Sequence, residues 1–410
     1  MARLLKTGNL DDALLQVEAK LPTETQRAVA EAYALKPTVQ ITAPDANSLV
    51  AAQVVRLQAR ITIRNGQRLV PPKAFANGVL AKNRRRIKQM TIPGGTQVEY
   101  AWDALLPAQR RIRLQVVAAT EGEVVGRAAV TVQQNTPRWG RPRLFIATAG
   151  INEYRDAQLP RLEFAVNNAT QVAQTFQRGA QPLYRTFGLA IANQRVTRPV
   201  WFATMQQYAE RLRKQVTPDD LLVIFLSGHG LRGRVSDTYY YVTANARFRD
   251  LAAQRYRDCF SFDAFTLFAD IPCRKLVILD TCHSGALQPL RQRELKSALR
   301  VLQDDLVFTL TATEGQQEAV EERARKMGRF THRLVEALRG AADTTPGNGD
   351  GIVSWRELIQ YVKTTVRADS IGDTYQQFPT AGPADLLDFA DFPVSRVTGS
   401  PKPTERAACP

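Results

Sequence analysis

The chain has 410 residues, 44% of them apolar and 23% charged, with a formal net charge of +16. That length exceeds what one hydrophobic core organises and predicts two or three domains. No apolar run reaches the roughly 18 residues that cross a bilayer, and MARLLKTGNLDDALLQVEAK turns acidic where a secretory signal needs an apolar core, so a cytoplasmic location is expected.

Residues 1–35 read as two short amphipathic helices, GNLDDALLQVEAKL and TETQRAVAEAYALKP, with apolar residues three and four apart and Pro37 closing the second. The wording resembles part of a tetratricopeptide repeat, one unit of which cannot bury its own face. Residues 36–135 change period. TVQITAP, QVVRLQARITI, TQVEYAW, RIRLQVVAA and GRAAVTVQQ alternate apolar and polar between Gly, Pro and Asn turns, which predicts a small antiparallel β-sandwich of immunoglobulin-like size. It lacks the Cys…Trp…Cys pattern of true immunoglobulin domains. This segment carries 15 Lys/Arg against 5 Asp/Glu and is most basic at KNRRRIK (82–88). A charge excess alone reads first as a solvated face, with nucleic acid as the alternative partner. NTPRWGRPR (135–143) is a linker.

From residue 143 strands and helices alternate. RLFIATAG, LLVIFLSG, KLVILDTC and LVFTLTAT are continuous apolar runs of the kind covered on both faces, and LEFAVNNATQVAQTF, VWFATMQQYAERLRKQ and FTHRLVEALRG are helical between them. The alternation predicts a mostly parallel sheet whose strands end along one edge, where such sheets build their sites.

Four cysteines (Cys259, Cys273, Cys282, Cys409) show neither CxxC nor metal-ligand spacing, which predicts reduced thiols and no zinc. Cys259 and Cys273 read as core, and His332 as helix surface. Two strand runs end on chemistry: LLVIFLSGHG on His229 and KLVILDTCHSG on Cys282. A thiol becomes a good nucleophile only when ionised, and a neighbouring imidazole promotes that. Gly228 and Gly230 leave room for a substrate backbone to approach. The N–H groups of Gly230 and Cys282 are candidates to hold an oxyanion. The pair suits acyl transfer, with Cys282 attacking a carbonyl and His229 protonating the leaving amine. Taken singly, His229 also reads as a satisfied core histidine and Cys282 as an inert buried thiol.

GINEYRDAQLPRLEFAVNNA, FLSGHG and ILDTCHSG, in that order, resemble caspase-like cysteine peptidases of the metacaspase and orthocaspase type. The 53 residues from His229 to Cys282 agree with the roughly 50 of caspases. LTATEGQQEAVEE, GRFTHRLVEALRG and GNGDGIVSWRELIQYVK extend the similarity over the small-subunit half. The resemblance implies an α/β fold, a caspase-like three-layer sandwich with a mostly parallel six-stranded sheet. Its peptidase domain spans 143–390 (large-subunit part about 143–285, small-subunit part about 305–390), before a flexible tail at 391–410. It also implies that Asp280 and Ser227 line the S1 pocket, which receives the residue before the cut bond, and select Arg or Lys. In FAVNNA, Asn168 replaces the second pocket acid of metacaspases.

Between the halves, Arg291, Arg293, Lys296 and Arg300 are candidate self-processing sites, although the stretch also reads as a connecting helix. NGDGIVSWRELI invites a calcium-loop reading, but the alignment puts Pro346 where an Asp is needed. Ser354 with Glu357 reads better as a capping box. No cofactor is expected, and calcium dependence stays open. The expected function is a cysteine endopeptidase acting after Arg or Lys. The alternative is a catalytically silent caspase-like scaffold that binds signalling partners through its N-terminal segments.

Overall fold

The computed structural model describes residues 35–121, 125–135, 140–233, 238–282, 307–313, 320–373, 376–382 and 390–397. The two helices expected before residue 35, residues 136–139 of the linker, and Arg291, Arg293, Lys296 and Arg300 lie outside these residues. Two compact units are present: Met1–Ala76 with Ala81–Asn135, and Asn77–Leu80 with Thr136–Pro410.

The first unit contains two sheets. Thr38–Ala43, Val54–Arg64, Gly95–Leu105 and Lys82–Ile92 pair antiparallel in that order. Leu49–Val50, Val125–Gln134, Arg111–Ala119 and Lys73–Ala76 are successive neighbours in the other. Alternation decides what each strand buries: Leu57, Ala59, Ile61 and Ile63 point inward from one sheet and meet Ile112, Leu114 and Val116 of the other in a shared core. KNRRRIK lies on the edge strand Lys82–Ile92, nearly all of it exposed and its register broken twice. Charges and bulges at an open edge prevent further strand pairing. Arg85 and Arg56 reach Asp103, and Arg60 reaches Glu99.

The second unit alternates as its sequence does. Its elements are β1 (Arg143–Gly150), α1 (Ala165–Ala180), β2 (Arg185–Ala192), α2 (Arg198–Gln215), β3 (Leu221–Arg232), β4 (Tyr239–Val242), β5 (Cys259–Ser261), β6 (Arg274–Cys282) and β7 (Phe308–Thr311). After these come β8 (Glu321–Glu322), β9 (Met327–Gly328), α3 (Arg329–Glu336), β10 (Ile352–Ser354), α4 (Trp355–Asp369), β11 (Thr380–Gly382) and β12 (Pro393–Arg396). The main sheet runs β2-β1-β3-β6-β7-β11, parallel except for the last pair. Leu222, Ile224 and Leu226 of β3 share a core with Trp201, Met205, Ala209 and Leu212 of α2. The alternate residues of β3 face the other way, towards α1. Gly150, at the end of β1, permits this closeness: a β-carbon there would lie 2.4 Å from the Ala165 carbonyl oxygen.

β12 falls in the stretch expected to be a tail; it pairs antiparallel with β10. Ser354 caps α4 and its Glu357 closes the reciprocal capping box. Among the described residues no three His, Cys, Asp or Glu side chains are grouped to hold a metal ion, and no helix is long and apolar enough to cross a membrane.

Candidate active site

Register brings the two motifs together. β3 and β6 are parallel neighbours in which Ser227 is the Cα partner of Asp280, Gly228 of Thr281 and His229 of Cys282. β3 does not stop at its glycines as the sequence suggested. It continues to Arg232 and pairs antiparallel with β4, Gly230 opposite Tyr241.

Three tyrosines surround this turn. The Tyr241 hydroxyl donates to the Ser227 carbonyl at 2.9 Å, and the Tyr154 hydroxyl accepts the His229 backbone N–H at 2.8 Å. The Tyr239 hydroxyl lies 2.7 Å from Thr281 Oγ1. A β-carbon on Gly230 would stand 1.8 Å from the Tyr239 hydroxyl, and one on Gly228 within 3.2 Å of Tyr241 and Tyr154. The glycines therefore admit tyrosines, a correction to the expectation that they clear space for substrate.

His229 is fully buried. Its Nε2 lies 2.7 Å from the Pro160 carbonyl oxygen, which only accepts, so Nε2 carries the ring proton. Nδ1 then holds a lone pair; it is buried and has no hydrogen-bond partner among the described residues. Burial pushes the His229 basicity below the ordinary imidazole range, opposed by the Pro160 bond. The ring is thus a neutral base with one nitrogen ready for a proton. Cys282 is placed by its backbone, opposite His229. Cys259 and Cys273 are buried, and desolvation pushes both thiols up to about 12, so neither supplies a thiolate near neutral pH.

Ser227, Asp280 and Asn168 meet where α1 covers the sheet. The Asn168 side-chain amide donates to Asp280 Oδ2 at 3.0 Å and to Ser227 Oγ at 3.2 Å, and its carbonyl accepts the Gly328 N–H at 3.0 Å. Thr331 also donates to Asp280 Oδ2. Desolvation raises the Asp280 carboxyl to about 6; Thr331 opposes the shift and the Glu321 charge adds to it.

These residues border a small cavity of about 10 Å³, room for about one water molecule, that Val320, Glu321 and Gly328 also line. Glu321 was missed in the sequence, where it is one of several acids in QQEAVEE. The β8–β9 hairpin delivers it, and its carboxylate accepts the N–H groups of Glu163 and Phe164 at 3.0 and 2.9 Å. Neighbouring Glu322 is held by Arg329 and Arg325. Asp156 lies outside this cavity and accepts the Phe248 N–H. His332 sits on α3, half-buried beside Glu336.

The family model described as the caspase domain matches residues 148–388, more than half of the chain. Among solved structures the chain is similar to pro-sf-caspase-1, at 12% identity and a TM-score of 0.39, over 60% of this chain and 95% of that one. Slighter likenesses are to the secreted serine protease VesC of Vibrio cholerae (8% identity, 26% of this chain and 24% of that one, TM-score 0.18). Another is to the N-terminal Ig1-2 module of the Drosophila receptor protein tyrosine phosphatase DLAR (13% identity, 28% and 62%, TM-score 0.16). No curated protein matches the chain. By the family match, the chain belongs to the caspase-domain family, whose members are cysteine peptidases.

Proposed function

We propose that this chain is a cysteine endopeptidase that cuts after Arg or Lys through a Cys282–His229 dyad. The observation that carries the reading is the register of β3 and β6, which sets a neutral, lone-pair-bearing imidazole opposite Cys282 beside an acid-lined cavity. Cys282 gives its proton to His229 Nδ1, and the thiolate attacks the substrate carbonyl carbon. The N–H groups of Gly230 and Cys282 receive the oxyanion. Collapse breaks the C–N bond as the imidazolium protonates the leaving amine. Water, deprotonated by His229, then hydrolyses the thioester and restores the thiol.

Asp280 and Glu321 favour a basic substrate side chain, since two buried or half-buried carboxylates gain a counter-charge when it enters. Ser227 and Asn168 add polar contacts. A library of peptides with every residue before the scissile bond tests the reading. Cleavage after Arg and Lys, abolished by alkylating the thiol, is expected. Cleavage after Asp, or none under any condition, sinks it; the latter leaves the silent scaffold as the reading.

Glu321→Gln separates the second acid from the first. It keeps one acceptor for the Glu163 and Phe164 amides but removes the charge. The kcat/KM for an Arg peptide is expected to fall about tenfold, mostly through KM, because one half-exposed charge contributes on the order of 1 kcal/mol. An unchanged KM excludes Glu321 from the pocket.

A further inference from the structure

Among the described residues the imidazole of His229 has one hydrogen bond, from Nε2 to Pro160. One bond fixes the tautomer but leaves the tilt of the ring to its packing. The backbone that carries it has a related problem. On the side of β1, the ladder of β3 ends with Gly150 opposite Ser227, and the Ile151 N–H takes the Ser227 carbonyl. The next N–H to point that way belongs to His229, a buried donor beyond the last residue of β1. Left unsatisfied, such a donor destabilises the strand end where the base sits.

One side chain meets both needs. The Tyr154 hydroxyl accepts the His229 N–H at 2.8 Å, standing in for the strand neighbour that β1 no longer supplies. Its ring stacks on the imidazole, with centroids 4.9 Å apart and planes at 21°. The same hydroxyl occupies the space a side chain at 228 would take, 3.2 Å from an ideal β-carbon on Gly228. Tyr154 and Pro160 belong to one segment, tied by the Leu159 N–H to Asp156 and the Leu162 N–H to Asn152. That segment grips the histidine by its backbone, its face and its Nε2.

We infer that Tyr154 is a positioning residue for His229, holding its backbone in register with β6 and its ring in the plane that presents Nδ1 towards the nucleophile. The stacked face also favours the imidazolium formed when that nitrogen takes a proton, because the face of an aromatic ring attracts cations. The kinetic consequence rests on the peptidase reading proposed above; the geometric one does not.

The test uses the full chain, Tyr154→Phe and Tyr154→Leu, each checked for folding by its melting transition. Three histidines make ring-nitrogen NMR assignments tractable. The wild type is expected to show His229 as the Nε2–H tautomer. Tyr154→Phe keeps that tautomer but shifts the His229 amide proton upfield, its acceptor gone; Tyr154→Leu mixes the tautomers. For an Arg peptide, kcat falls about tenfold in the first and about a hundredfold in the second, with KM nearly unchanged, as expected when a reacting group is misplaced. If Tyr154→Leu fails to fold, Tyr154→Phe decides alone by the amide shift and the kcat loss. Folded variants with wild-type His229 signals overturn the inference whatever their rates. A wild-type chain with the expected tautomer but no turnover overturns the peptidase reading and leaves Tyr154 in its role.

Discussion

Replacing His229 by alanine is expected to lower kcat for an Arg peptide by about 10³–10⁴-fold, close to the loss from Cys282→Ala, and the double variant to be no worse than either. Groups that act as one unit lose their function once, so the second deletion has little left to remove. The reason lies in the state of the ring. With Nε2–H committed to Pro160 and Nδ1 without a partner among the described residues, the imidazole is a base before substrate arrives. Its depressed basicity keeps it so through neutral pH and lets it release the proton readily to a leaving amine. The sign for stability follows. As pH falls through the ordinary imidazole range, the unfolded chain takes up a proton that buried His229 resists, so this group weakens the fold on the acidic side. Steady-state kinetics of the two single variants and the double variant check the first claim. Additive losses, or a His229→Ala enzyme at half the wild-type rate, would remove His229 from the mechanism.

Asp280→Asn is the second large effect, with opposite signs for activity and stability. Activity falls because a buried guanidinium without its counter-charge costs about 3–5 kcal/mol, so kcat/KM for Arg peptides drops about 10²–10⁴-fold. Stability rises because burial disfavours the ionised Asp280 carboxylate. Desolvation raises its carboxyl from 3.8 to about 6. The folded state therefore holds a proton that the unfolded chain has already lost, and the fold weakens as pH climbs from the ordinary carboxylate range to about 6. Above that range the wild type lacks about 3 kcal/mol that the amide recovers, since an asparagine oxygen still accepts from Asn168 and Thr331. Urea unfolding at neutral pH should show Asp280→Asn the more stable, with the gap closing on acidification. Arg cleavage by the wild type should fail below about pH 6 as the pocket acid protonates. A variant that cuts after Arg at the wild-type rate would dismiss Asp280 as the selector.

The parts of the site legible in the sequence are those carried by regular elements. His229 and Asp280 stand at the ends of long apolar runs, and two parallel strands in adjacent places leave little freedom in register. Asn168 was found through the resemblance of FAVNNA to the metacaspase motif, which α1 carries on its first turns. Glu321 and the tyrosines were not. Strands of two residues, such as β8 and β9, have no period to read; ion pairs from Arg329 and Arg325 hold them in place from outside. Tyr154 and Pro160 lie in an irregular segment whose path is set by hydrogen bonds made only after folding. The glycines were visible, but what they make room for was not. In the fold, β2 escaped notice because RTFGLAIA buries little and alternates weakly, whereas Val54–Arg64 keeps a period of two.

The covalent path from β6 to β7 leaves and re-enters the same ladder: Leu276–Leu279 pair side by side with Phe308–Thr311, and the Ala312 N–H closes on the Leu279 carbonyl. Were the chain cut between Cys282 and Val307, the β6–β7 ladder would still join the two parts. The fragments would co-elute in native buffer and separate only in denaturant. Base, thiol and Asp280 travel with one fragment, Glu321 and Thr331 with the other. The cavity beside Asp280 is in that sense lined from both sides of a single covalent break.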